Sequence, residues 1–344
     1  MQPVIKGFSL PKLLFTTLLL LSIAVMAAVV WFFEEDLDPA IVDANYSNSQ
    51  SQFMETSNGA RVHFRDQGQP NGPPLLLVHG SNASLHTWEP WVRLLGDRYR
   101  VITLDLPGHG LTGAVPGNQY DAAAQLNTMA ALIKHLGIDE FILGGNSMGG
   151  GASWRYALQH QEQIKALILV DASGLRQWRE EESAQQSASQ DAENNGPLVF
   201  RLLRKPWFRR IAVNLDTRSL TAQGLRSAFH DKSKVTQDMI EIYYQMSKRA
   251  GTRQATLTRF ASYGRETGQP AHTEKDLSTL SMPTLVLWGA TDALTPVANG
   301  QRFANTLPDA KLIVYPEVGH IPMEEIPERS AADVRNFLRE RVGL

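Results

Sequence analysis

The sequence predicts an α/β domain in which helices cover a parallel sheet, and three observations lead to this fold class. Short apolar runs alternate with helical stretches over most of the chain. Leu, Ile and Val fill these runs completely rather than at every second position, which is typical of strands buried on both faces. The 344 residues, 43% of them hydrophobic and 20% charged, are enough for one large domain with insertions.

The net charge and the cysteine content narrow the possible functions. A net charge of −2 gives no indication of a nucleic-acid partner. The chain contains no cysteine, so it has neither a zinc-like nor a redox cysteine motif. A chain without cysteine is compatible with any compartment and forms no unwanted disulfides in an oxidising one.

The N-terminal segment departs from this average composition. Leu13–Phe33 is a run of 21 residues without a charge, and a helix of that length spans roughly 30 Å, the thickness of a bilayer core. Lys6 and Lys12 precede the run, and four acidic residues follow it within 34–38. The positive-inside rule predicts a single-pass anchor at 13–33 in the inner (cytoplasmic) membrane, with residues 1–12 cytoplasmic and the rest periplasmic or extracellular.

A cleaved signal peptide is the alternative for this segment. Val25-Met26-Ala27 would then provide the small-residue cleavage site. The apolar run continues for six residues beyond Ala27, however, and is longer than a usual signal core. We therefore expect an uncleaved anchor, followed by an acidic and polar tether at 34–52.

The folded domain is predicted from the order of its strands and helices. It opens with a strand–turn–strand pattern whose turn is Asn58-Gly59. Buried strands are predicted at 74–80, 100–106, 140–145, 165–173, 283–290 and 311–317. Helices are predicted near 86–96, 121–136, 148–160, 296–306 and 324–341. These elements assign residues 53–173 and 282–344 to one core.

The interval between these two core segments, 174–281, lacks a convincing buried strand. Residues 178–197 are polar and low in complexity, which predicts a mobile connector. Helical stretches follow near 198–215, 233–249 and 252–265. We expect a helical cap over the sheet edge. Its basic stretch "RLLRKPWFRRIAV" could contact anionic lipid, although an ordinary amphipathic cap helix is the simpler interpretation.

Ser147 lies in the stretch Gly145-Asn146-Ser147-Met148-Gly149, which matches the pattern G-x-S-x-G. A predicted buried strand precedes it and a predicted helix follows it, which is the setting of a nucleophile elbow. Such a turn projects the serine hydroxyl, and the glycines remove side chains that would clash where strand and helix cross. We therefore interpret Ser147 as a nucleophile rather than as an incidental turn serine.

A serine nucleophile needs a base, and a base needs an orienting group. Asp292 and His320 follow the strands predicted at 283–290 and 311–317, in the chain order nucleophile, acid, histidine. Because parallel strands end at one edge of a sheet, the three side chains can converge there. His320 is predicted to take the serine proton and Asp292 to hold the imidazole. Asp171, which also ends a strand, is the alternative acid.

The oxyanion hole requires backbone N–H groups that point at the developing charge. The strand predicted at 74–80 ends in His79-Gly80, so the N–H groups of Ser81 and Met148 are the predicted donors. For His79, and for His109 in the glycine-rich loop after the next strand, we expect structural roles. Three residues of the first loop are candidates for the substrate pocket, with core packing as the alternative for the last two: Asn82, His86 and Trp88.

These stretches together resemble the α/β-hydrolase superfamily, in the branch with a helical cap between strands six and seven. The matching marks are "HGSNAS", "DLPGHG", "GNSMGG", "WGATD" and "GHIPMEE", spread over residues 53–344. The resemblance implies an eight-stranded, mostly parallel sheet and acyl transfer by Ser147, Asp292 and His320, with no metal or organic cofactor. "GNSMGG" is also similar to the carbon–carbon bond hydrolases that cleave meta-cleavage products. Haloalkane dehalogenases and epoxide hydrolases carry an aspartate at the elbow, unlike this chain.

Three functions follow as hypotheses. The first is a membrane-anchored serine hydrolase of the carboxylesterase or lipase type that cleaves a small-molecule ester. The second is a carbon–carbon bond hydrolase with the same triad, whose expected cytoplasmic substrates fit an exported domain poorly. The third is a non-catalytic binding protein, against which the presence of all three triad residues argues. No feature of the sequence predicts the substrate or the oligomeric state.

Overall fold

The computed structural model describes residues 10–189, 217–262 and 271–344. The chain divides into two compact units. One contains the N-terminal residues as far as Asp36, and the other contains the described residues from Leu37 to 189, 218–262 and 271–344.

The second unit contains an eight-stranded sheet. Its strands are β1 (Ser51–Glu55), β2 (Arg61–Gly68), β3 (Pro74–Val78), β4 (Arg100–Leu104), β5 (Phe141–Asn146), β6 (Ile164–Val170), β7 (Thr284–Gly289) and β8 (Ala310–Tyr315). Their order in the sheet is β1-β2-β4-β3-β5-β6-β7-β8. β2 pairs antiparallel with both β1 and β4, and all other neighbours are parallel. This confirms the predicted eight-stranded, mostly parallel sheet.

Both faces of the sheet are buried, which explains the continuous apolar runs of the sequence. Along β3, Leu75 and Leu77 belong to one hydrophobic cluster, whereas Leu76 and Val78 belong to a second cluster. Successive side chains of a strand point to opposite faces, so each face has its own layer of core. The strands are shorter than the predicted runs because residues such as His79 and Asp171 already lie in the loops beyond them.

One helix, α1 (Leu10–Phe32), belongs to the first unit. The helices of the second unit flank its sheet or form the described part of the cap. They are α2 (Pro39–Tyr46), α3 (Glu89–Leu95), α4 (Ala122–His135), α5 (Met148–Gln159), α6 (Arg176–Ser189), α7 (Arg218–Ala228), α8 (Gln237–Lys248), α9 (Thr252–Ser262), α10 (Glu274–Leu277), α11 (Val297–Thr306), α12 (Pro322–Glu325) and α13 (Pro327–Val342). In the described part of 174–281 we find no strand, in agreement with a helical insertion between β6 and β7.

The predicted connector at 178–197 is wrong for its first half, since α6 covers residues 176–189. Trp178 anchors this helix: it is fully buried, its indole N–H donates to Glu274 at 2.8 Å, and its ring packs against Phe303. The polar composition of the segment gave no indication that Trp178 is buried. The helix predicted near 198–215, with the basic stretch 201–213, lies outside the described residues.

The predicted tether at 34–52 is also structured over much of its length. Asp38 caps α2 by accepting the N–H of Ala40 at 2.8 Å, and Pro39 occupies the first turn. Val42 is fully buried, and Asp43 pairs with Arg61 at 2.9 Å and with Arg249 at 3.2 Å. These contacts order the segment, and β1 already begins at Ser51.

The helix α1 covers the predicted anchor at 13–33 except for its last residue. Among the helices of the described residues, however, none has the combined length and hydropathy that crossing a membrane requires. The structure therefore lends no support to a transmembrane helix.

Candidate active site

Ser147 occupies a sharp turn between β5 and α5. Its backbone has φ 53° and ψ −119°, a strained conformation for a residue with a side chain. The turn depends on its glycines: a Cβ on Gly145 would lie 2.4 Å from the Gly149 carbonyl oxygen, and one on Gly149 would lie 2.2 Å from that of Val78. The half-buried Ser147 thus stands at the N-terminus of a helix, as the motif predicts.

Asp292 and His320 meet at the same edge of the sheet. Asp292 follows β7, His320 follows β8, and the imidazole Nδ1 lies 2.7 Å from the Asp292 Oδ2. The Asp292 side chain is fully buried, and His320 is 5% exposed. Burial alone would raise the pKa of Asp292, but His320, Thr295 and the Leu294 N–H hold this pKa below its ordinary value. The carboxylate therefore stays charged and can orient the imidazole.

The elbow and the histidine loop are tied together by Asn146. Its side-chain amide donates to the His320 carbonyl at 3.0 Å and to the Val170 carbonyl at 3.1 Å. Within the described residues, no hydrogen bond joins the Ser147 hydroxyl to His320. Catalytic hydrogen bonds are often long before substrate binds. The structure thus brings all three predicted triad residues to one edge, with the acid–histidine bond already made.

The predicted oxyanion loop packs directly against the nucleophile. A Cβ on Gly80 would lie 3.1 Å from the Ser147 Cβ, so this loop needs glycine to approach so closely. Ser81 and Asn82 follow, and Asn82 has φ 57°. Met148 is the first residue of α5, where its N–H lies in the first turn and is not used by the helix ladder. The two predicted donors therefore flank Ser147.

Arg259, on cap helix α9, is a site residue that the sequence did not predict. Its guanidinium donates to the Ser81 hydroxyl at 3.0 Å, to the Asn82 side-chain oxygen at 3.2 Å and to the Met148 sulfur at 3.5 Å. Burial lowers its pKa to about 10, which leaves it charged at neutral pH. No sequence signal marks Arg259, because its partners come from two loops far away in the chain.

His79 and His109 have the surroundings expected of structural residues. His79 Nε2 accepts the Leu106 N–H at 3.0 Å, so its Nδ1–H donates to the Gly80 carbonyl at 2.7 Å. Burial lowers the pKa of both histidines, that of His109 well below its ordinary value. His79 therefore stays neutral and connects the oxyanion loop to the loop after β4.

The pocket candidates after Asn82 have other partners. Trp88 is fully buried and packs on Trp91 with ring centroids 5.1 Å apart, so it belongs to the core rather than to a pocket. His86 accepts a hydrogen bond from Arg65 at 3.3 Å and contacts the Ser84 hydroxyl at 3.1 Å. Burial lowers the pKa of His86 to about 4. The single loop predicted to line a pocket therefore turns inward after Asn82.

Comparisons with known proteins agree with this geometry. A family model described as "alpha/beta hydrolase fold" matches residues 73–327. A 2-hydroxy-6-oxo-6-(2'-aminophenyl)hexa-2,4-dienoic acid hydrolase of Metapseudomonas resinovorans is 26% identical over 86% of this chain and 94% of its own.

Two solved structures are similar over most of their length. A membrane phospholipase A, described as a bacterial virulence factor, is 25% identical with a TM-score of 0.66, and the match covers 95% of this chain and 98% of that one. A thermophilic esterase from Thermogutta terrifontis is 27% identical with a TM-score of 0.64, over 85% of this chain and 99% of that one. With its sheet order, its elbow serine and the matched family model, the chain belongs to the α/β-hydrolase family and is a hydrolase of that fold.

Proposed function

We propose that the protein is a serine hydrolase that cleaves carboxylic esters through an acyl-enzyme. The observation that carries the proposal is the 2.7 Å hydrogen bond between Asp292 and His320 at the sheet edge where Ser147 stands on its strained turn. A serine on such a turn, with a base and an orienting carboxylate nearby, is the arrangement that acyl transfer requires.

In this mechanism His320 Nε2 takes the Ser147 proton as Oγ attacks the ester carbonyl. The oxyanion is stabilised by the N–H groups of Ser81 and Met148. His320 then gives the proton to the leaving alcohol, and it activates a water molecule that hydrolyses the acyl-enzyme. Asp292 stabilises the imidazolium in both steps. The chemistry needs neither a metal nor an organic cofactor.

The test of this proposal is covalent labelling combined with ester turnover. We expect the protein to hydrolyse p-nitrophenyl esters and a fluorophosphonate probe to label Ser147, as peptide mass spectrometry would show. Ser147→Ala should lose both properties, and Ser278→Ala, which changes an exposed serine, should keep both. Equal turnover by Ser147→Ala and the wild type would refute the serine mechanism.

A carbon–carbon bond hydrolase is the second candidate, supported by the similarity to the dienoic acid hydrolase. Both reactions use the same triad, so the substrate must decide between them. We expect kcat/KM for a p-nitrophenyl ester to exceed that for a vinylogous 1,5-diketone. The reverse order would favour the second candidate. A folded wild type that turns over neither substrate and resists labelling would favour a binding protein.

We further propose that the N-terminal segment attaches the enzyme to the cytoplasmic membrane, with the catalytic unit on its outer side. The uncharged run 13–33 supports this, as do the large apolar side chains of α1 that are exposed to solvent, such as Phe15 at 69% and Leu18 at 62%. The similarity to a membrane phospholipase A over 95% of the chain supports it too, and favours lipid esters among the substrates to be tested.

Fractionation of cells tests the attachment. The full chain should stay in the membrane fraction after alkaline carbonate extraction, and a variant that begins at Leu37 should be released from it. Protease added to spheroplasts should digest the catalytic unit of the full chain. A full chain that carbonate extracts would contradict the proposal.

A further inference from the structure

Asp171 lies directly after β6 and is held against the catalytic acid. Its backbone φ is 45°, a left-handed conformation that non-glycine residues adopt only where the surroundings enforce it. Its N–H donates to the Leu287 carbonyl at 2.9 Å, and its own carbonyl oxygen lies 3.2 Å from the Thr295 hydroxyl. Both contacts attach Asp171 to the strand and loop that carry Asp292.

The carboxyl group of Asp171 is fully buried, and its two oxygens differ. Oδ1 accepts the Gly289 N–H at 2.9 Å, whereas Oδ2 makes no hydrogen bond to any residue that the structure describes. One oxygen of Asp171, one of Asp292 and one ring nitrogen of His320 lie within 4.8 Å of one another. A second carboxyl group therefore stands beside the catalytic acid.

Two buried carboxyl groups this close do not both stay ionised. Asp292 accepts hydrogen bonds from His320, from the Thr295 hydroxyl and from the N–H groups of Leu294 and Thr295, which stabilise its charged form. Asp171 has a single backbone donor. Burial first, and the charge of Asp292 next, raise the pKa of Asp171 well above its ordinary value. The proton therefore belongs on Asp171.

We propose that Asp171 is a positioning residue that acts in its neutral form, donating a hydrogen bond from Oδ2 to the Asp292 carboxylate. This bond gives the unpartnered oxygen of Asp171 a partner. It also fixes the Asp292 carboxylate opposite His320 Nδ1 without adding a second negative charge. Its effect on catalysis rests on the serine-hydrolase function proposed above, whereas the proton itself can be observed without any turnover.

The other titratable groups around Asp171 are compatible with a neutral side chain. Glu325, on α12, accepts the N–H groups of Gly319 and Asp231, each at 2.7 Å, and its charge also raises the pKa of Asp171. Tyr315 ends β8, and burial raises its own pKa, so it is neutral as well. His320 is the only cationic candidate among these groups, and its Nδ1 is already engaged with Asp292.

The kinetic experiment compares Asp171→Asn with Asp171→Leu. An asparagine amide can donate to Asp292 and accept from Gly289, so we expect kcat within about threefold of wild type. Leucine has a similar size but no donor, and we expect kcat to fall about 10- to 100-fold with little change in KM. The midpoint of the acid limb of kcat/KM, where His320 takes up a proton, should not move in Asp171→Asn. Thermal unfolding of both variants shows whether they fold.

Three kinetic outcomes would overturn the proposal. A loss in Asp171→Asn as large as in a folded Asp171→Leu would show that the amide cannot replace the acid. A downward shift of the acid limb in Asp171→Asn would show that an ionised carboxylate had been removed. Activity that EDTA abolishes and a divalent cation restores would place a cation, not a proton, between the carboxyl groups.

The spectroscopic experiment needs no activity, so it separates this proposal from the proposed function. Infrared spectra of Ser147→Ala and of Ser147→Ala/Asp171→Asn are compared at neutral pH. We expect the difference spectrum to contain the carbonyl band of one protonated carboxyl group, present only while Asp171 is intact. A difference spectrum without that band at neutral pH would refute the neutral Asp171.

Discussion

The described part of the structure contains one serine–histidine–aspartate arrangement at the sheet edge that carries Ser147 and another one inside the fold. In the inner arrangement the Ser51 hydroxyl lies 2.9 Å from His63 Nε2, and His63 Nδ1 lies 2.7 Å from Asp105. The distance between Asp292 Oδ2 and His320 Nδ1 at the candidate site is the same, 2.7 Å. The acid–histidine geometry alone therefore does not distinguish a catalytic pair from a structural pair.

The surroundings of the two serines make the difference. Ser51 begins an ordinary strand, and its hydroxyl accepts hydrogen bonds from the Asn48 N–H at 3.1 Å and from Arg65 at 3.2 Å. Ser147 stands on a strained turn at a helix N-terminus, with Gly80 packed beside it. A nucleophile needs a turn that projects its hydroxyl and donors for the oxyanion, and only the second setting offers such a turn at a helix N-terminus.

The carboxylates of Asp105 and Asp292 also have different roles. Asp105 is fully buried with His63 and accepts the N–H groups of Leu85 and Leu111, each at 2.8 Å. It therefore connects β2 to the two loops that follow β3 and β4. Asp292 instead orients the imidazole of His320 at the sheet edge where Ser147 stands. The role of a histidine–carboxylate pair therefore depends on the groups that lie beyond the histidine Nε2.

The largest expected difference is between Ser147→Ala and Ser51→Ala. Removing the nucleophile should lower kcat for ester hydrolysis by about 10⁶-fold. Removing the Ser51 hydroxyl should leave kcat within about twofold and lower the free energy of unfolding by about 1 kcal/mol. Steady-state kinetics and urea unfolding of both variants test this. Comparable losses of kcat would mean that the inner arrangement contributes to turnover.

Substitution of Asp292 should mainly lower activity, whereas substitution of Asp105 should mainly lower stability. Asp292→Asn should lower kcat by about 10⁴-fold, since the histidine then adopts the wrong tautomer. Asp105→Asn should leave the folded fraction active but lower the free energy of unfolding by about 3–5 kcal/mol, because it breaks a buried pair. Kinetics and urea unfolding give both values. Asp292→Asn with near-normal kcat would instead assign the catalytic acid to Asp171.

Arg259→Gln should have an intermediate effect on activity. Losing the charged donor to Ser81 and Asn82 loosens the oxyanion loop, and we expect kcat to fall about 10- to 100-fold. Arg226→Gln, which changes an exposed cap residue, is the matched control and should behave like wild type. Melting temperatures establish that both variants fold. Equal kcat for the two variants would leave Arg259 without a role in the oxyanion site.

The smallest effect is the pH dependence of stability that Asp105 causes. Burial alone would raise the pKa of Asp105, but the hydrogen bond and charge of His63, with the Leu85 N–H, hold it below its ordinary value. The stabilisation is therefore fully present above the unfolded pKa of about 3.9 and is lost as pH falls toward the folded pKa. Urea unfolding of wild type between about pH 6 and 3 should show this loss, and Asp105→Asn should show a shallower slope. If the free energy of unfolding changed equally with pH in wild type and in Asp105→Asn, the prediction would be wrong.

Signals local in sequence were enough to predict the sheet and to predict that Ser147, Asp292 and His320 lie at one edge of it. Ser147 follows an apolar run and precedes a helix, and Asp292 and His320 each follow a strand, so parallel topology alone predicts that they meet. Trp178 and Val42 show where local composition fails. A single buried apolar side chain orders a polar segment, and whether it is buried depends on residues elsewhere in the chain.

By itself the sequence determined an α/β fold with a parallel sheet and a sharp turn at Ser147, because strand period and glycine spacing are local properties, and its resemblance to the α/β-hydrolase superfamily predicted the triad positions. Only the tertiary structure decided the contacts between loops that are distant in the chain. It brought Arg259 of the cap onto Ser81, placed Asp171 beside Asp292, and moved Trp88 into the core. Hydrogen bonds and charge interactions act over a few ångströms, and no spacing in the sequence states which loops come that close.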